Sequence, residues 1–328
     1  MKAVLFDRFG PAEEVLQVRE VPAPRPSRGQ VLVRMIASPI NPSDLLFVEG
    51  VYGRRPTLPA TPGFEGVGRV IESGGGLLGW RVLGRRVAVL NAQGGNWQEL
   101  VVIPARQAVP LPEDLSDEQA ATFFVNPATV LAMLEHVLRV RRGDWLAQTA
   151  AGSALGRMII RYAARYGLHT INIVRRRDIV SDLKNLGADE VLVQGQDDIL
   201  ARIMACTANR GVSYVLDAVG GEIGSLLVES LAPGGRMLVY GTLSQQPLTL
   251  APRHLMTGMR RVEGFWLSEW ARRQRALTML RLFRKIARCL RMGILSTAIE
   301  ETYPMAAIAE AVRAAKKPGR QGKILVQF

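Results

Sequence analysis

The sequence predicts an α/β protein in two parts, a small all-β barrel joined to a doubly wound parallel sheet. Three observations predict it. Up to about Pro112, short alternating segments ("KAVLF", "QVLVRMIA", "GVGRVIE", "RVAVL", "ELVVIP") are separated by Pro and Gly clusters, the texture of a small barrel. After "LPEDLSDEQAATFF", apolar strand segments alternate with helical stretches, the pattern of βαβ units. The length, 328 residues, is about twice the usual single-domain size.

Taken in order, the second part should place strands at 145–149, 170–174, 190–193, 214–218, 236–240 and 262–266, with helices at 154–166, 180–186, 199–207 and 223–231. Six strands suit a dinucleotide fold. Beyond Trp270 a basic helical segment, "ARRQRALTMLRLFRKIARCLRMG", precedes a closing strand, "KILVQF", expected to return to the first part. The boundaries are then 1–120 with 268–328 for the barrel and 121–267 for the doubly wound part.

Charge and composition narrow the function. The formal charge, 42 basic against 29 acidic residues, is +13, which calls for an acidic ligand or partner. Nucleic acid is not expected, because aromatics are sparse, are not interleaved with the basic residues, and no helix-turn-helix, zinc-finger or RNA-binding signature is present. Apolar runs such as 121–125 and 158–160 are far too short to span a bilayer, so no membrane contact is expected. The start carries Lys2, Asp7 and Arg8 and reads as a strand rather than a signal or transit peptide, which makes the cytoplasm the simple expectation. Cys206 and Cys289 are far apart without Cys-x-x-Cys spacing and read as buried small hydrophobes. The histidines, His136, His169 and His254, have no ligand spacing and read as surface or packing residues.

The most informative local stretch is "DWLAQTAAGSALGRMIIRYAARYG", a strand, a turn of small residues and a helix. Small residues let the backbone approach a pyrophosphate at the helix N-terminus, where free N–H groups and the helix dipole favour negative charge. The strict Gly-x-Gly-x-x-Gly is not met. The turn reads Ala151-x-Ser153-x-x-Gly156, with Gly152 as an extra glycine, and a plain strand-to-helix turn stays open on this stretch alone. The second strand, "HTINIV", ends in Arg175, Arg176 and Arg177, where an NAD site would hold an acidic residue and where arginine accommodates a 2′-phosphate. NADPH is therefore the expected cofactor, with a solvated basic loop as the bland alternative. Tyr240, Gly241, Thr242 and Leu243 fall at the C-terminal end of a further strand, the edge where such folds bind ligands.

A barrel with Pro- and Gly-rich loops, a six-strand dinucleotide part and a returning strand, together with "GVGRV" and "AVGG", resembles the medium-chain dehydrogenase/reductase family over essentially the whole chain. The resemblance implies a GroES-like barrel as the catalytic domain and a Rossmann domain for the dinucleotide. Zinc-dependent members supply ligands from a cysteine and a Gly-His-Glu. Here Ser38 and Phe64 stand at those positions, so no catalytic metal is expected, and Glu65 alone cannot hold one. Within the zinc-free branches, "NPSD", "EGVYG", "ATFFVNPATVLAML", "INIVR" and "EGFWLSEW" resemble the NADPH-dependent 2-enoyl thioester reductases of fatty-acid synthesis. That resemblance implies a proton-donor role for Tyr52. It implies cofactor contacts for Asn126, Gly152, Ser153, Ala154, Leu155, Arg175, Arg176, Arg177, Tyr240, Gly241, Thr242, Leu243, Phe265, Trp266, Leu267 and Lys323. A substrate pocket of Asn41, Phe124 and Trp266 is expected beside them, with core filling as the alternative for Phe124, Phe265 and Trp266. Two departures stand out, Ala154 where the family often has glycine and an altered segment, "GGGLLGWRVLGRRV".

The chemistry follows. Without a Lewis acid, direct carbonyl reduction would leave an alkoxide unsupported, whereas hydride addition to the β-carbon of an enoyl thioester gives an enolate that one proton source can finish. A phenol with an ordinary pKa of about 10 is protonated at neutral pH and suits that role. For Tyr52 the bland alternative is a turn-packing residue. The substrate would be a thioester of coenzyme A or of an acyl carrier protein, drawn by part of the basic helix bearing Arg272, Arg273, Arg275, Arg281, Arg284, Lys285, Arg288 and Arg291, for which a solvated face is the bland alternative. An NADPH:quinone oxidoreductase is the alternative enzyme, and a non-catalytic NADPH-binding regulator the alternative class. The resemblance also implies a homodimer paired near the strand at 262–266.

Overall fold

The first strands, β1 (Lys2–Leu5) and β2 (Gln17–Glu20), form an antiparallel ribbon, with the short helix α1 (Ala12–Val15) between them in sequence. This is seen in a computed structural model describing residues 1–328. There follow β3 (Gln30–Pro39), α2 (Pro42–Val48), β4 (Glu65–Ser73), α3 (Leu77–Val82), β5 (Arg86–Leu90), β6 (Leu100–Pro104), β7 (Ala108–Pro110), α4 (Asp117–Ala121) and α5 (Val125–Leu131). The period-two alternation of "QVLVRM" sends Val31, Val33 and Met35 to the interior and Arg34 to solvent. Val70, Val87, Val89, Val101 and Ile103 meet them there. Each such side chain contributes roughly 1.5–3 kcal/mol by leaving water.

The middle of the chain continues from α5 through a π-helical stretch, Ala132–Leu138, that ends on Arg139 in the left-handed region. Then come β8 (Trp145–Gln148), α6 (Ala154–Tyr166), β9 (His169–Val174), α7 (Val180–Asn185), β10 (Glu190–Val193), α8 (Ile199–Cys206), β11 (Val212–Asp217), α9 (Gly221–Glu229), β12 (Leu231–Val239), α10 (Pro252–Met256), β13 (Arg261–Gly264), α11 (Leu267–Arg272) and α12 (Ala276–Arg291). The six strands form one parallel sheet in the order β10-β9-β8-β11-β12-β13. Counted from β8 that order is 3-2-1-4-5-6, with the switch point between β8 and β11. Ala147, Ile171, Leu192, Val215 and Met237 fill its centre.

The chain closes with β14 (Ile299–Pro304), α13 (Ile308–Lys316) and β15 (Lys323–Gln327). Strand β15 lies between β14, parallel, and β3, antiparallel, so "KILVQF" completes the first sheet, whose path is β14-β15-β3-β4-β5-β7 with β6 also on β3.

Two units result. One comprises Met1–Asn126, Ile286–Arg291 and Ser296–Phe328, and the other Pro127–Lys285 and Met292–Leu295. The return to the first unit thus comes later than the expected residue 268, and the first boundary shifts from 120 to 126. The reason lies in the helices after β13. Lys285 pairs with Glu135 at 2.5 Å and stands over the Tyr166 ring, and Arg161 Nε donates to the Ile294 carbonyl at 2.9 Å, so these segments belong with the parallel sheet. Sequence boundaries hold for α6 and β10. Strand β12 starts five residues before the expected 236, because Leu231 pairs with Val212 across a register shift. Strand β13 stops at Gly264, which leaves Trp266 as the N-cap of α11 rather than a strand end. No helix is long and apolar enough to cross a membrane.

Candidate functional site

In the second unit the turn after β8 is built for close approach. Ala150 holds a positive φ of 51°. Ser153 caps α6, its Oγ accepting from the Gly156 N–H at 3.1 Å. A Cβ on Gly156 would lie 2.6 Å from the Ala151 carbonyl oxygen and 2.7 Å from its Cα, so only glycine lets the helix sit this close to the strand. The first-turn N–H groups of Ala154 and Leu155 have no intrahelical partner and mark the helix's positive end.

The three arginines after β9 differ in freedom. Arg176 is clamped to Asp178, with Nε on Oδ1 at 2.9 Å, and Arg177 bonds Gln196 at 2.7 Å and approaches Asp197 at 3.9 Å. Arg175 is exposed and has no hydrogen bond or ion pair. It is the cation available to a ligand.

At the switch point Asp217, fully buried at the end of β11, accepts from Thr149 Oγ1 at 2.7 Å and from the Val219 and Gly220 N–H groups at 3.0 Å each. Thr149 Oγ1 in turn accepts from the Ala218 N–H at 2.9 Å, so one threonine ties the ends of β8 and β11. The loop after β12 lies against that edge, with Tyr240 N–H on the Asp217 carbonyl (2.9 Å) and Leu243 N–H on Ala218 (3.0 Å). A Cβ on Gly241 would meet the Ala218 carbonyl at 2.7 Å. The Tyr240 hydroxyl is buried without a partner, and burial raises its pKa above the usual phenol range. Phe265, half-buried, donates its N–H to Val239 at 2.8 Å, and Trp266 is 36% exposed. Residues 152–155, 175–177, 240–243 and 265–267 all lie beyond the carboxyl ends of parallel strands, 265 and 266 because β13 stops at Gly264, short of the expected 266.

The other expected residues lie in the first unit. Asn41 caps α2 and is buried. Its Nδ2 donates to Glu65 Oε1 at 3.0 Å, and the Lys323 ammonium donates to its Oδ1. The Asn41 amide is thus held between a carboxylate and an ammonium. Lys323, implied as a cofactor contact, is likewise buried and engaged there. Glu65 Oε2 accepts the N–H groups of Phe124 (3.1 Å) and Val125 (2.8 Å), which fixes the entry to α5 and so the residue before Asn126. Asp44 accepts from the Asn41 N–H (2.7 Å) and the Phe64 N–H (3.1 Å). Burial pushes its pKa up to about 7, opposed by those two bonds and by Lys323, whose ammonium burial pushes down.

Tyr52 follows α2, its N–H on the Leu46 carbonyl at 3.0 Å and its half-buried ring 5.2 Å from that of Phe64. Phe64 stands edge-on to Phe47 at 5.2 Å, so the tyrosine ends an aromatic row anchored in the barrel core. Ser38 Oγ donates to the Glu65 carbonyl at 2.6 Å and accepts from Trp97 Nε1 at 3.1 Å. The histidines pack or pair separately: His136 against Trp270, His169 stacked on Trp145 and paired with Asp189, His254 near Glu229. Cys289 is buried as expected, whereas Cys206 is only half-buried on α8. Of the basic residues near the end of the second unit, Arg272 pairs with Glu269 and Lys285 with Glu135, while Arg273, Arg275, Arg281 and Arg284 are exposed and unpaired. A surface groove lined by Val21, Pro24, Gln98 and Arg106 contains none of the candidate residues.

Two family profiles match the chain, "Alcohol dehydrogenase GroES-like domain" over residues 27–113 and "Zinc-binding dehydrogenase" over 154–284. The mitochondrial enoyl-[acyl-carrier-protein] reductase of Rattus norvegicus is 32% identical over 322 residues, 97% of this chain and 86% of that one. The chain belongs to the medium-chain dehydrogenase/reductase family. As a member it is an oxidoreductase. The enzyme of the same name from Caenorhabditis elegans is 37% identical over 274 residues, 82% of this chain and 78% of its own. The quinone oxidoreductase of Thermus thermophilus, solved also with NADPH, is 30% identical, with a TM-score of 0.82 and all of both chains covered. In this member of the family, reading the sequence missed two constellations, the Asn41, Asp44, Glu65 and Lys323 cluster and the Thr149–Asp217 link. "NPSD" and "GFEG" were visible, but their cation is 282 residues from Asn41.

Proposed function

We propose that this chain reduces the C=C bond of 2-enoyl thioesters with NADPH and without a catalytic metal. The observation that carries the reading is the condition of the positions that match a metal-ligand set. The Ser38 hydroxyl and the Glu65 carboxylate are fully engaged by internal hydrogen bonds, and Phe64, between them in the pattern, offers no donor atom. Beside them stands one aromatic acid, Tyr52, held on Phe64. Identity of 32–37% to enoyl-[acyl-carrier-protein] reductases supports the same substrate class.

The second unit's residues suit the cofactor. The glycine-permitted contact at Gly156, the open N-terminus of α6 and the unpaired Arg175 answer a pyrophosphate and a 2′-phosphate, and NADPH once bound supplies a hydride to the substrate's β-carbon. Tyr52 then donates its phenolic proton to the α-carbon of the thioester enolate, and the phenolate is re-protonated from water. Asn126 and 240–243 position the nicotinamide end in this reading, while Phe124 and Trp266 border the acyl chain. Arg273, Arg275, Arg281 and Arg284 attract an acidic carrier, whether coenzyme A or a carrier protein. A homodimer forms along the free edge of β13, where Met256 (76% exposed) and Met259 (77%) give apolar surface beside an unpaired strand. The cytoplasm is the compartment proposed.

Quinone reduction is the second reading, favoured by the match to a solved quinone oxidoreductase at 30% identity. One experiment separates them, NADPH oxidation with crotonyl-coenzyme A and with a simple quinone, for wild type and Tyr52→Phe. Thioester reduction that Tyr52→Phe lowers by about 10²-fold or more supports the first reading. Turnover of the quinone alone, or a variant as active as wild type on the thioester, overturns it.

A further inference from the structure

In the first unit the altered segment "GGGLLGWRVLGRRV" carries a surface that the proposed chemistry does not use. Helix α3 rests on the barrel through Gly79 and Val82, which are buried. A Cβ on Gly79 would lie 2.4 Å from Ser73 Oγ, so the helix backbone is pressed on the strand below and its large side chains are turned out. Leu77 is 86% exposed, Leu78 54% and Trp80 65%, with Leu83 and Ile71 also open to solvent. A short helix that seats its glycine and exposes two leucines and a tryptophan reverses ordinary burial.

Charge surrounds this apolar tip. Between Arg69 and Arg85 the chain carries three arginines, Arg69, Arg81 and Arg85, against one carboxylate, Glu72. Arg81 and Arg85 are exposed with no hydrogen bond or ion pair, and α3 packs on the turn Ala105–Gln107, whose Arg106 is exposed too. Protruding Leu and Trp flanked by unpaired arginines fit an interface that is apolar below and negative above.

We propose that α3 and its flanks are a peripheral docking surface for an anionic lipid bilayer, with Leu77, Leu78 and Trp80 entering the headgroup boundary and Arg81 and Arg85 on lipid phosphates. A second copy is disfavoured, because a two-fold contact would set Arg81 and Arg85 against themselves. A groove-bearing acidic protein is less suited than a bilayer to a tip whose side chains stand out singly. The sequence expectation of no membrane contact rested on the lack of a spanning segment, which a peripheral contact does not need.

The test is sedimentation of the full chain with vesicles of equal parts phosphatidylglycerol and phosphatidylcholine, with phosphatidylcholine vesicles alone in parallel. Wild type is expected to bind the anionic vesicles only, more weakly as salt rises, with a blue shift of tryptophan emission that Trp80→Phe removes. Arg81→Glu with Arg85→Glu should weaken binding by about 30-fold or more, the factor for two cations at an anionic surface, and Leu77→Ser with Leu78→Ser should abolish it. All four positions are exposed, so unchanged thermal unfolding is expected and shows the fold intact. Failure of wild type to bind the anionic vesicles overturns the proposal, as does binding that survives both double variants or that Arg281→Glu with Arg284→Glu removes instead.

Discussion

Arg175→Ala is the sharpest probe of cofactor choice. Three arginines follow β9, but Arg176 is committed to Asp178 and Arg177 to Gln196 and Asp197, which leaves Arg175 as the cation whose bond to a 2′-phosphate costs no existing partner. A hydrogen bond to a charged group contributes roughly 1.5–3 kcal/mol, and an exposed arginine sits at the low end, about 1.5–2 kcal/mol. The kcat/KM for NADPH should therefore fall about 10- to 30-fold, while that for NADH stays within about twofold, since NADH has no phosphate there. Arg176→Ala should cost NADPH as well, for another reason: it releases Asp178 to repel the phosphate. Steady-state rates with each cofactor at saturating second substrate give the ratio directly. The wild-type preference should also shrink as salt rises from about 0.1 M to 1 M, where the screening length falls from about 10 Å to 3 Å. An NADPH to NADH ratio unchanged in Arg175→Ala refutes the reasoning.

Lys323→Met strips the one cation from a buried cluster holding Asp44 and Glu65, so unfolding in urea should show a loss of about 3–5 kcal/mol, far beyond that of an exposed variant such as Lys2→Met. Asp44 predicts a pH slope: its pKa is raised from 3.8 to about 7, so between those values the unfolded chain releases a proton that the folded chain keeps, and stability falls as pH rises from about 4 to about 7. Asp44→Asn should flatten that slope in urea titrations across the range, and a slope unchanged in the variant would count against the assignment. Gly156→Ala puts a Cβ 2.6 Å from a backbone oxygen, so it should lower stability by about 1–3 kcal/mol and weaken NADPH binding as followed by cofactor fluorescence.

The second unit was the more legible because its signals are local. Helix α6 begins and ends where Ser153 and Gly167 say it should, the one accepting Gly156 N–H and the other taking φ 71°. The run 175–177 was visible as basic residues, but only the folded chain shows that two of the three are already paired. Nothing local reveals that Glu65 and Lys323 claim both ends of the Asn41 amide, because the two lie 24 and 282 residues away. Trp266 is expected to end a strand, yet the ladder with β12 closes at Gly264 and the tryptophan opens a helix instead. That 268–285 group with the parallel sheet is not legible, because a basic amphipathic pattern does not say which carboxylate it will meet; Glu135 settles it for Lys285.

The place of β15 sets an order of assembly. The strand lies inside its sheet, between β14 and β3, and brings Lys323 to carboxylates laid down near the beginning of the chain. During synthesis the stretch from β8 to β13 is complete while the barrel still lacks both its inner strand and its buried cation, so the unit that starts first closes last. Nascent chains halted just before residue 323 should hold a protease-resistant parallel sheet and a cleavable barrel. Residues 323–327 thus decide whether the first hundred residues ever close into a folded barrel.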